Sequence, residues 1–421
     1  MSTAETIART PVRRGRFSVL GGNRDFRLLW IGQATSELGS SLSMLALPML
    51  VLATTGSAAL AGLLGTVSFL SMWLAQLPGG YIADMFDRRT VMLICDLGRA
   101  ILFGLGTLAV ATSTAPATVL LVVVAVSTFL WMAFGAAQAQ ALRLIVPADQ
   151  LPEAVSISQA RGYAMDLIGP LLAGSLFVVH HALPLGVDAV TFLVSLTCVW
   201  LLRTPLASEN KPTVRRLLPD VGRGWTVLWH HPFLRAKTAY AMVSNFAVSM
   251  LLFVLILSDG SGLLVGAGVS LASAAGLLGS LLAPAVSRRI QLRTLLVAGA
   301  LIRATGLLLA ATFGGTVALV VVLATVMLLG PITSAALTSV QMQLVPGEVL
   351  GRAGSASAFL ASTLLPLAPL TAGFLVQYLD LATTQYLLAV PFALVAVIAA
   401  TLAGFRRATT TPTADPEPAR S

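Results

Sequence analysis

The sequence predicts an all-α membrane protein of twelve transmembrane helices, arranged as two pseudo-symmetric six-helix bundles. Three observations predict it. First, 57% of the 421 residues are hydrophobic, 10% are charged and the mean hydropathy is +0.88, whereas a water-soluble chain of this size needs a surface far richer in charge. Second, polar and turn-rich breaks leave about twelve apolar stretches of roughly 20 residues, each enough to cross a hydrocarbon core. Lipid offers the backbone no hydrogen-bond partners, so each stretch is helical. Third, VPADQLPEAVSIS from Val146 returns without a gap as VPGEVLGRAGSAS from Val345, 199 residues further on. The same register lays Pro170, Leu171, Ala173 and Gly174 on Pro369, Leu370, Ala372 and Gly373. A second match, in a register of 204, lays Arg89, Thr90, Arg99 and Ala100 on Arg293, Thr294, Arg303 and Ala304. Tandem copies of half the length imply two halves of the same handedness and topology.

In chain order, residues 1–26 are a basic segment containing Arg9, Arg13, Arg14, Arg16 and Arg24. Its twin arginine is not followed by a short apolar region with a small-residue cleavage site, so it is expected to anchor topology rather than direct export. Residues 27–203 form the first bundle, with spans 1–6 expected at 27–53, 58–83, 90–112, 116–142, 155–180 and 183–203. Residues 204–232 are a linker in which Val214, Leu217, Leu218, Val221, Trp225, Leu228 and Trp229 recur at helical spacing among arginines. That pattern suits an amphipathic helix on an anionic leaflet. Residues 233–405 form the second bundle, with spans 7–12 at 233–258, 261–283, 293–313, 315–341, 351–378 and 383–405. The tail 406–421 has too little apolar content to pack and is expected to be disordered.

Orientation follows from charge. The basic residues of the connections gather before span 1, in the even-to-odd connections and after span 12, while the short connections on the other face carry none. By the positive-inside rule both termini are cytoplasmic, at the cell membrane, which requires an even number of spans. The net charge of +9 therefore reads as topology, and no nucleic-acid partner is expected. Cys95 and Cys198 both fall within spans, so no disulfide framework or metal cluster is implied.

Between spans 2 and 3 stands GGYIADMFDRRTVML. It resembles the signature of the major facilitator superfamily, Gly-x3-Asp-Arg/Lys-x-Gly-Arg-Arg/Lys, at Gly80, Asp84, Arg88 and Arg89. Met85 and Asp87 stand where the family has a basic residue and a glycine. The resemblance implies a latch in which Asp84 holds the two halves together on the cytoplasmic side. The repeat places Arg288 opposite Asp84, so the latch is expected to be one-sided. Span 5, DLIGPLLAGSLF, is similar to the family's antiporter signature at Gly169, Pro170 and Gly174, with Met165 and Ala173 in place of glycines. A Gly-Pro pair kinks a helix and lets a neighbour approach closely, which suits a hinge. The opening NRDFRLLWIGQATSELGSSLSMLALPMLV, the phrase DRRTVMLICDLGRA and GVDAVTFLVS look like the macrolide and siderophore exporter branch of the superfamily.

Charges inside the spans point to mechanism, because each is costly unless paired or facing water. Glu37, near the middle of span 1, and Asp166, just before the Gly-Pro kink, are the candidate proton or substrate sites. An alternative for Asp166 is an ion pair with Arg161. Asp96 and Arg99, three apart on one face of span 3, are expected to be a structural ion pair. Arg303, the repeat partner of Arg99, has no acid three or four residues away and is a candidate for attracting an anion or for snorkelling. Gln33, Gln138, Gln140 and Gln341 are candidate polar residues of a cavity, or glue between helices. Asp188, His180, His181, Asp259 and Asp380 are expected near the external face, where solvation is cheap.

No Walker A sequence, His-Glu-x-x-His or Gly-x-Ser-x-Gly elbow occurs, so an ATPase or a familiar hydrolase is not supported. What remains is secondary transport. The resemblance implies a monomer that uses protons to expel an amphiphilic small molecule by alternating access, without a cofactor or a metal. A proton-coupled or facilitative importer is the alternative reading, and a transport-dead sensor or scaffold the third.

Overall fold

The computed structural model describes residues 18–112, 117–207, 225–226, 228–258, 260–313, 315–345 and 347–408, without side chains at 18, 77–84, 313, 347–352 and 406–408. The N-terminal half contains α1 (Arg24–Thr55), α2 (Ala58–Met85), α3 (Arg88–Ala111), α4 (Ala117–Ile145), α5 (Leu151–Val179) and α6 (Leu183–Trp200). The C-terminal half contains α7 (Pro232–Leu257), α8 (Gly262–Arg289), α9 (Leu292–Phe313), α10 (Thr316–Leu344), α11 (Gly347–Ala361), α12 (Leu367–Tyr378) and α13 (Leu381–Thr401). Eleven of these helices are long and apolar enough to cross a membrane. The remaining crossing, span 11, is shared by α11 and α12, which completes the twelve-helix fold. Most of the linker and the tail beyond Ala408 lie outside the described residues, as do the amphipathic-helix and disorder expectations that fall on them.

Local chemistry sets the boundaries. The Asn23 side chain accepts from the Phe26 amide at 3.0 Å and so caps α1, while its own amide donates to the Ile145 carbonyl at 2.8 Å. Gly56 closes α1 at φ 66°, returning its N–H to Leu52, a left-handed geometry that favours glycine. Asp87, where the family signature has glycine, caps α3 by accepting from the Thr90 amide and hydroxyl, each at 2.9 Å.

Span 11 departs from the single stretch expected. Between α11 and α12 the chain is held by tight turns such as Thr363 N–H to Leu360 and Leu365 N–H to Ser362, both 3.1 Å. Pro366 removes a backbone donor there, and the Ser362 hydroxyl donates to the Phe359 carbonyl at 2.8 Å. In span 5 the repeat partner of Pro366 is Leu167, and α5 runs unbroken through its remaining proline, Pro170.

The repeat is also a repeat in space. The halves meet where α5 packs on α8 and where α2 packs on α12. A Cβ on Gly266 would stand 3.2 Å from Gly174 Cα, and one on Gly62 would stand 3.0 Å from Gly373 Cα. Cβ atoms on Gly174 and Gly373 would collide with the Gly262 and Ala58 carbonyls in the same way. These pairs match in both registers, 199 for Gly174/Gly373 and Pro170/Pro369, and 204 for Gly62/Gly266 and Ala58/Gly262. Glycine and the absence of side-chain bulk let the backbones touch.

All four contacts lie at the end of the bundle opposite to the one where α1 begins and α13 ends; the latter carries the arginines and is called the basic end below. At the opposite end one apolar core runs through both halves, from Leu42, Leu50 and Phe192 to Leu251, Leu319 and Phe392. At the basic end each half has a separate core, one around Met92, Phe134 and Leu202 and one around Phe233, Leu296 and Phe405. Among the described residues the halves thus share a core at one end only. Large exposed apolar side chains such as Ile94, Leu105, Val122, Leu281 and Val321 form the face that lipid covers.

Candidate functional site: a central cavity with unpaired charges

Between the halves lies a cavity of about 710 Å³. Its wall in the C-terminal half is built by α7, whose Lys237, Tyr240, Ser244, Val248 and Leu252 recur at helical spacing, and by α8, α9 and α10. The N-terminal half contributes Phe69, Tyr163 and Asp166. Leu252, Val248, Ser273, Met327 and Asp166 also line a deeper cavity of about 240 Å³ that reaches Ser41 and Pro170. Asp166 therefore stands where the two spaces meet.

Among the described residues Asp166 makes no hydrogen bond and no ion pair, and it is exposed to the cavity. Arg161 is not its partner. That guanidinium, 4% exposed, grips Glu37 through two bonds, Nε to Oε2 at 2.9 Å and Nη2 to Oε1 at 2.7 Å. The bidentate geometry is the strong form of this interaction. Glu37 is accordingly a tie between α1 and α5 and lines none of the cavities described here, whereas Asp166 carries an uncompensated carboxylate in the same neighbourhood.

The expected Asp96–Arg99 ion pair is not formed. The ion pairs among the described residues are Arg161–Glu37 and Arg24–Asp25. Arg99 instead donates to the Ser40 hydroxyl at 2.8 Å and lies 3.9 Å over the Phe192 ring, a cation–π contact. Asp96 is fully buried beside Ser195. Asp188 was expected near the external face but is 0% exposed, because it lies more than a turn inside α6, on the side packed against α1 and α3. It accepts from the Ser43 and Thr191 hydroxyls, and Gly39 leaves the space that Asp188 and Thr191 fill. Asp188 and Arg99, with Phe103 and Trp131, line a separate cavity of about 320 Å³ walled mainly by the N-terminal half and closed by Phe253 of α7. The small residues Gly39 and Ser43, four apart on α1, were the available signal for this cluster.

Arg303, the spatial repeat of Arg99, faces the central cavity. It is 2% exposed and has no acidic partner among the described residues. Of the glutamines, Gln140 accepts from Arg88 Nε at 2.9 Å and Gln341 accepts from Lys237 Nζ. Gln33 is buried, and Gln33, Gln138, Gln140 and Gln341 line none of the cavities described here. Gln140 and Gln341 thus bond across helix contacts.

In the signature loop, the side chains of Gly80 and Asp84 lie outside the described residues. Arg88 donates to the Ala207 carbonyl at 2.6 Å and Arg89 to that of Trp200, so both arginines are used within the N-terminal half. Gly169 packs on Ser41 of α1, and Pro170 and Gly174 on α8.

The profile of the Major Facilitator Superfamily matches residues 29–366. The chain belongs to that superfamily. The transporter is similar in fold to a mutant form of the nucleoside transporter NupG, with 13% identity, a TM-score of 0.74 and coverage of 90% of this chain and 99% of that one. A bacterial homologue of the iron transporter ferroportin, in an inward-facing state, aligns at 17% identity and TM-score 0.69 over 92% of this chain and 99% of that one. A bacterial homologue of the human lysosomal transporter Spinster aligns at 15% identity and TM-score 0.70 over 92% of this chain and 98% of that one. Comparison with curated protein sequences gives no match.

Proposed function

We propose that this transporter expels an amphiphilic small molecule, of the drug, antibiotic or siderophore-like kind, across the cell membrane in exchange for protons. The observation that carries the reading is Asp166, an unpaired carboxylate on the wall shared by the central cavity and its deeper extension. A carboxylate of this kind takes up a proton when one side is open and releases it when the other is. The cavity volume suits a drug-sized ligand. Its apolar stripe of Phe69, Val248, Leu252, Met327 and Leu337, set beside Ser244, Asn245, Ser273 and Ser280, suits an amphiphile. With the basic end cytoplasmic, the halves part toward the cytoplasm, where an exporter loads. Outward movement is supported by the span 5 signature, whose Pro170 and Gly174 lie in the sealed contact with α8. Asp84 is assigned to a latch that forms when the basic end closes.

The test is accumulation of macrolides, cationic dyes and siderophores in inverted membrane vesicles under an imposed proton gradient. Wild type accumulates at least one of them, and Asp166→Asn loses gradient-driven accumulation while retaining downhill exchange. Full gradient-driven transport by Asp166→Asn removes Asp166 as the proton site. Accumulation only under the opposite gradient makes the protein an importer.

A further inference from the structure

The polar atoms left without partners on the cavity wall have a common chemistry. Arg303 Nε, the Tyr240 hydroxyl and the Ser249 hydroxyl are each buried, each lack a hydrogen-bond partner among the described residues, and all belong to residues lining the central cavity. Tyr240 and Ser249 stand nine residues apart on α7, about two and a half turns, so one small group does not reach both; Arg303, on α9, is the charged member of the three. A guanidinium can only donate and is always charged. Hydroxyls can donate as well. Burying a cation inside a membrane protein without a counter-charge is costly, and nothing among the described side chains of the C-terminal half offsets this one. Lys237, toward the basic end of the same wall, adds a second positive charge, while its own nitrogen is engaged by Gln341. Among the described residues the only carboxylate lining the cavity is Asp166, on the other half, and it is not paired with Arg303.

From this uncompensated guanidinium we infer that the transported amphiphile carries an acid group, a carboxylate or its equivalent, and that Arg303 binds it. This rests on the central cavity being the transport site proposed above and narrows the substrate class. The C-terminal half then presents the guanidinium of Arg303 to the shared space and the N-terminal half the carboxylate of Asp166, both without an ion pair among the described residues. A zwitterion satisfies both, with its acid on Arg303 and its amine on Asp166. Proton and amine compete for Asp166, which preserves exchange. A ligand that bridges the two walls also draws the parted ends together.

The experiment uses the full-length protein in detergent with Ser334→Cys, a cavity-lining exposed position, against the buried native Cys95 and Cys198 as the unreactive background. The anionic reagent sulfonatoethyl methanethiosulfonate is expected to modify this cysteine about tenfold faster, relative to the cationic trimethylammonioethyl reagent, than it does when Arg303→Gln is added. Phenylbutyrate is expected to slow labelling by neutral N-ethylmaleimide saturably, and phenylbutanol is not. Arg303→Gln weakens that protection by about tenfold or more, and Arg303→Lys retains part of it. Equal protection by acid and alcohol, absence of protection by the acid, failure of the cysteine to react at all, or a charge preference unchanged by Arg303→Gln each overturns the inference. The acid-against-alcohol comparison in otherwise wild-type protein stands even if Arg303→Gln does not fold. Vesicle transport of a wholly cationic compound, unaffected by Arg303→Gln, would leave the exporter standing and remove only the acid group.

Discussion

Glu37 and Arg161 differ in what each leaves behind when its partner is removed. Glu37→Gln strands a guanidinium that is 4% exposed, whereas Arg161→Gln strands a carboxylate that is 31% exposed and keeps access to water. Breaking a buried pair is costly chiefly through the charge left uncompensated. Glu37→Gln is therefore expected to destabilise by about 1–3 kcal/mol and Arg161→Gln by less, read as melting temperatures of the purified protein in detergent. An equal or reversed order contradicts the burial argument. Asp188→Ala is expected to cost about 1–3 kcal/mol, because it removes a fully buried acceptor from two hydroxyls. Ser43→Ala, which removes one hydroxyl donor, is expected to cost about 1 kcal/mol in the same assay. Glu37 and Asp166 were visible in the sequence as intramembrane acids, although Asp188 was expected near the external face. Their partners were not, since the choice of Arg161 by Glu37 and not by Asp166 depends on how α1 and α5 are rotated against each other.

The helix pairs α5·α8 and α2·α12 depend on four glycines, of which Gly174 and Gly373 were legible in the repeat as matched positions, whereas Gly62 and Gly266 were found as a pair only in space. Pro170 and Gly174 stood out in a signature expected to act as a hinge. In space they form half of a seal whose other half, Pro369 and Gly373, obeys the same register. A valine at Gly62 or Gly373 has backbone in its way, so the opposite end must open or the helix must shift. Cysteines at Ala59 and Gln377, where the Gln377 side chain accepts from the Ala58 and Ala59 amides at 2.8 and 3.4 Å, are expected to cross-link efficiently in the parent chain. Adding Gly62→Val is expected to reduce cross-linking several-fold, while unchanged cross-linking would mean that the contact tolerates a side chain. The break in span 11 shows the limit of hydropathy at this level. Pro366 sits in an apolar run long enough to cross, and the run alone does not say whether its helix is continuous.

One core shared at the opposite end and two separate cores at the basic end make the whole molecule a clamp with a single open side. If the basic end is cytoplasmic, a membrane-impermeant thiol reagent should modify Ser334→Cys rapidly in inverted vesicles and at least about tenfold more slowly in intact cells. The reverse order would mean that the resting state is open to the outside or that the orientation is inverted.

Crossing number, the basic face and the two-fold internal repeat were readable from the chain because each rests on quantities local to a segment. Apolar length against the hydrocarbon thickness, the charge of a connection and residue identity in register need no knowledge of neighbours. Folding in three dimensions settled the partners among the described residues: Glu37 with Arg161, Arg99 with Ser40 and Phe192, Asp188 with Ser43 and Thr191, and Arg303 without one at the cavity. A helix turns by about 100° per residue, so one residue of rotation or one turn of sliding between neighbours replaces every partner, and that alignment is fixed by the packing of all twelve crossings together.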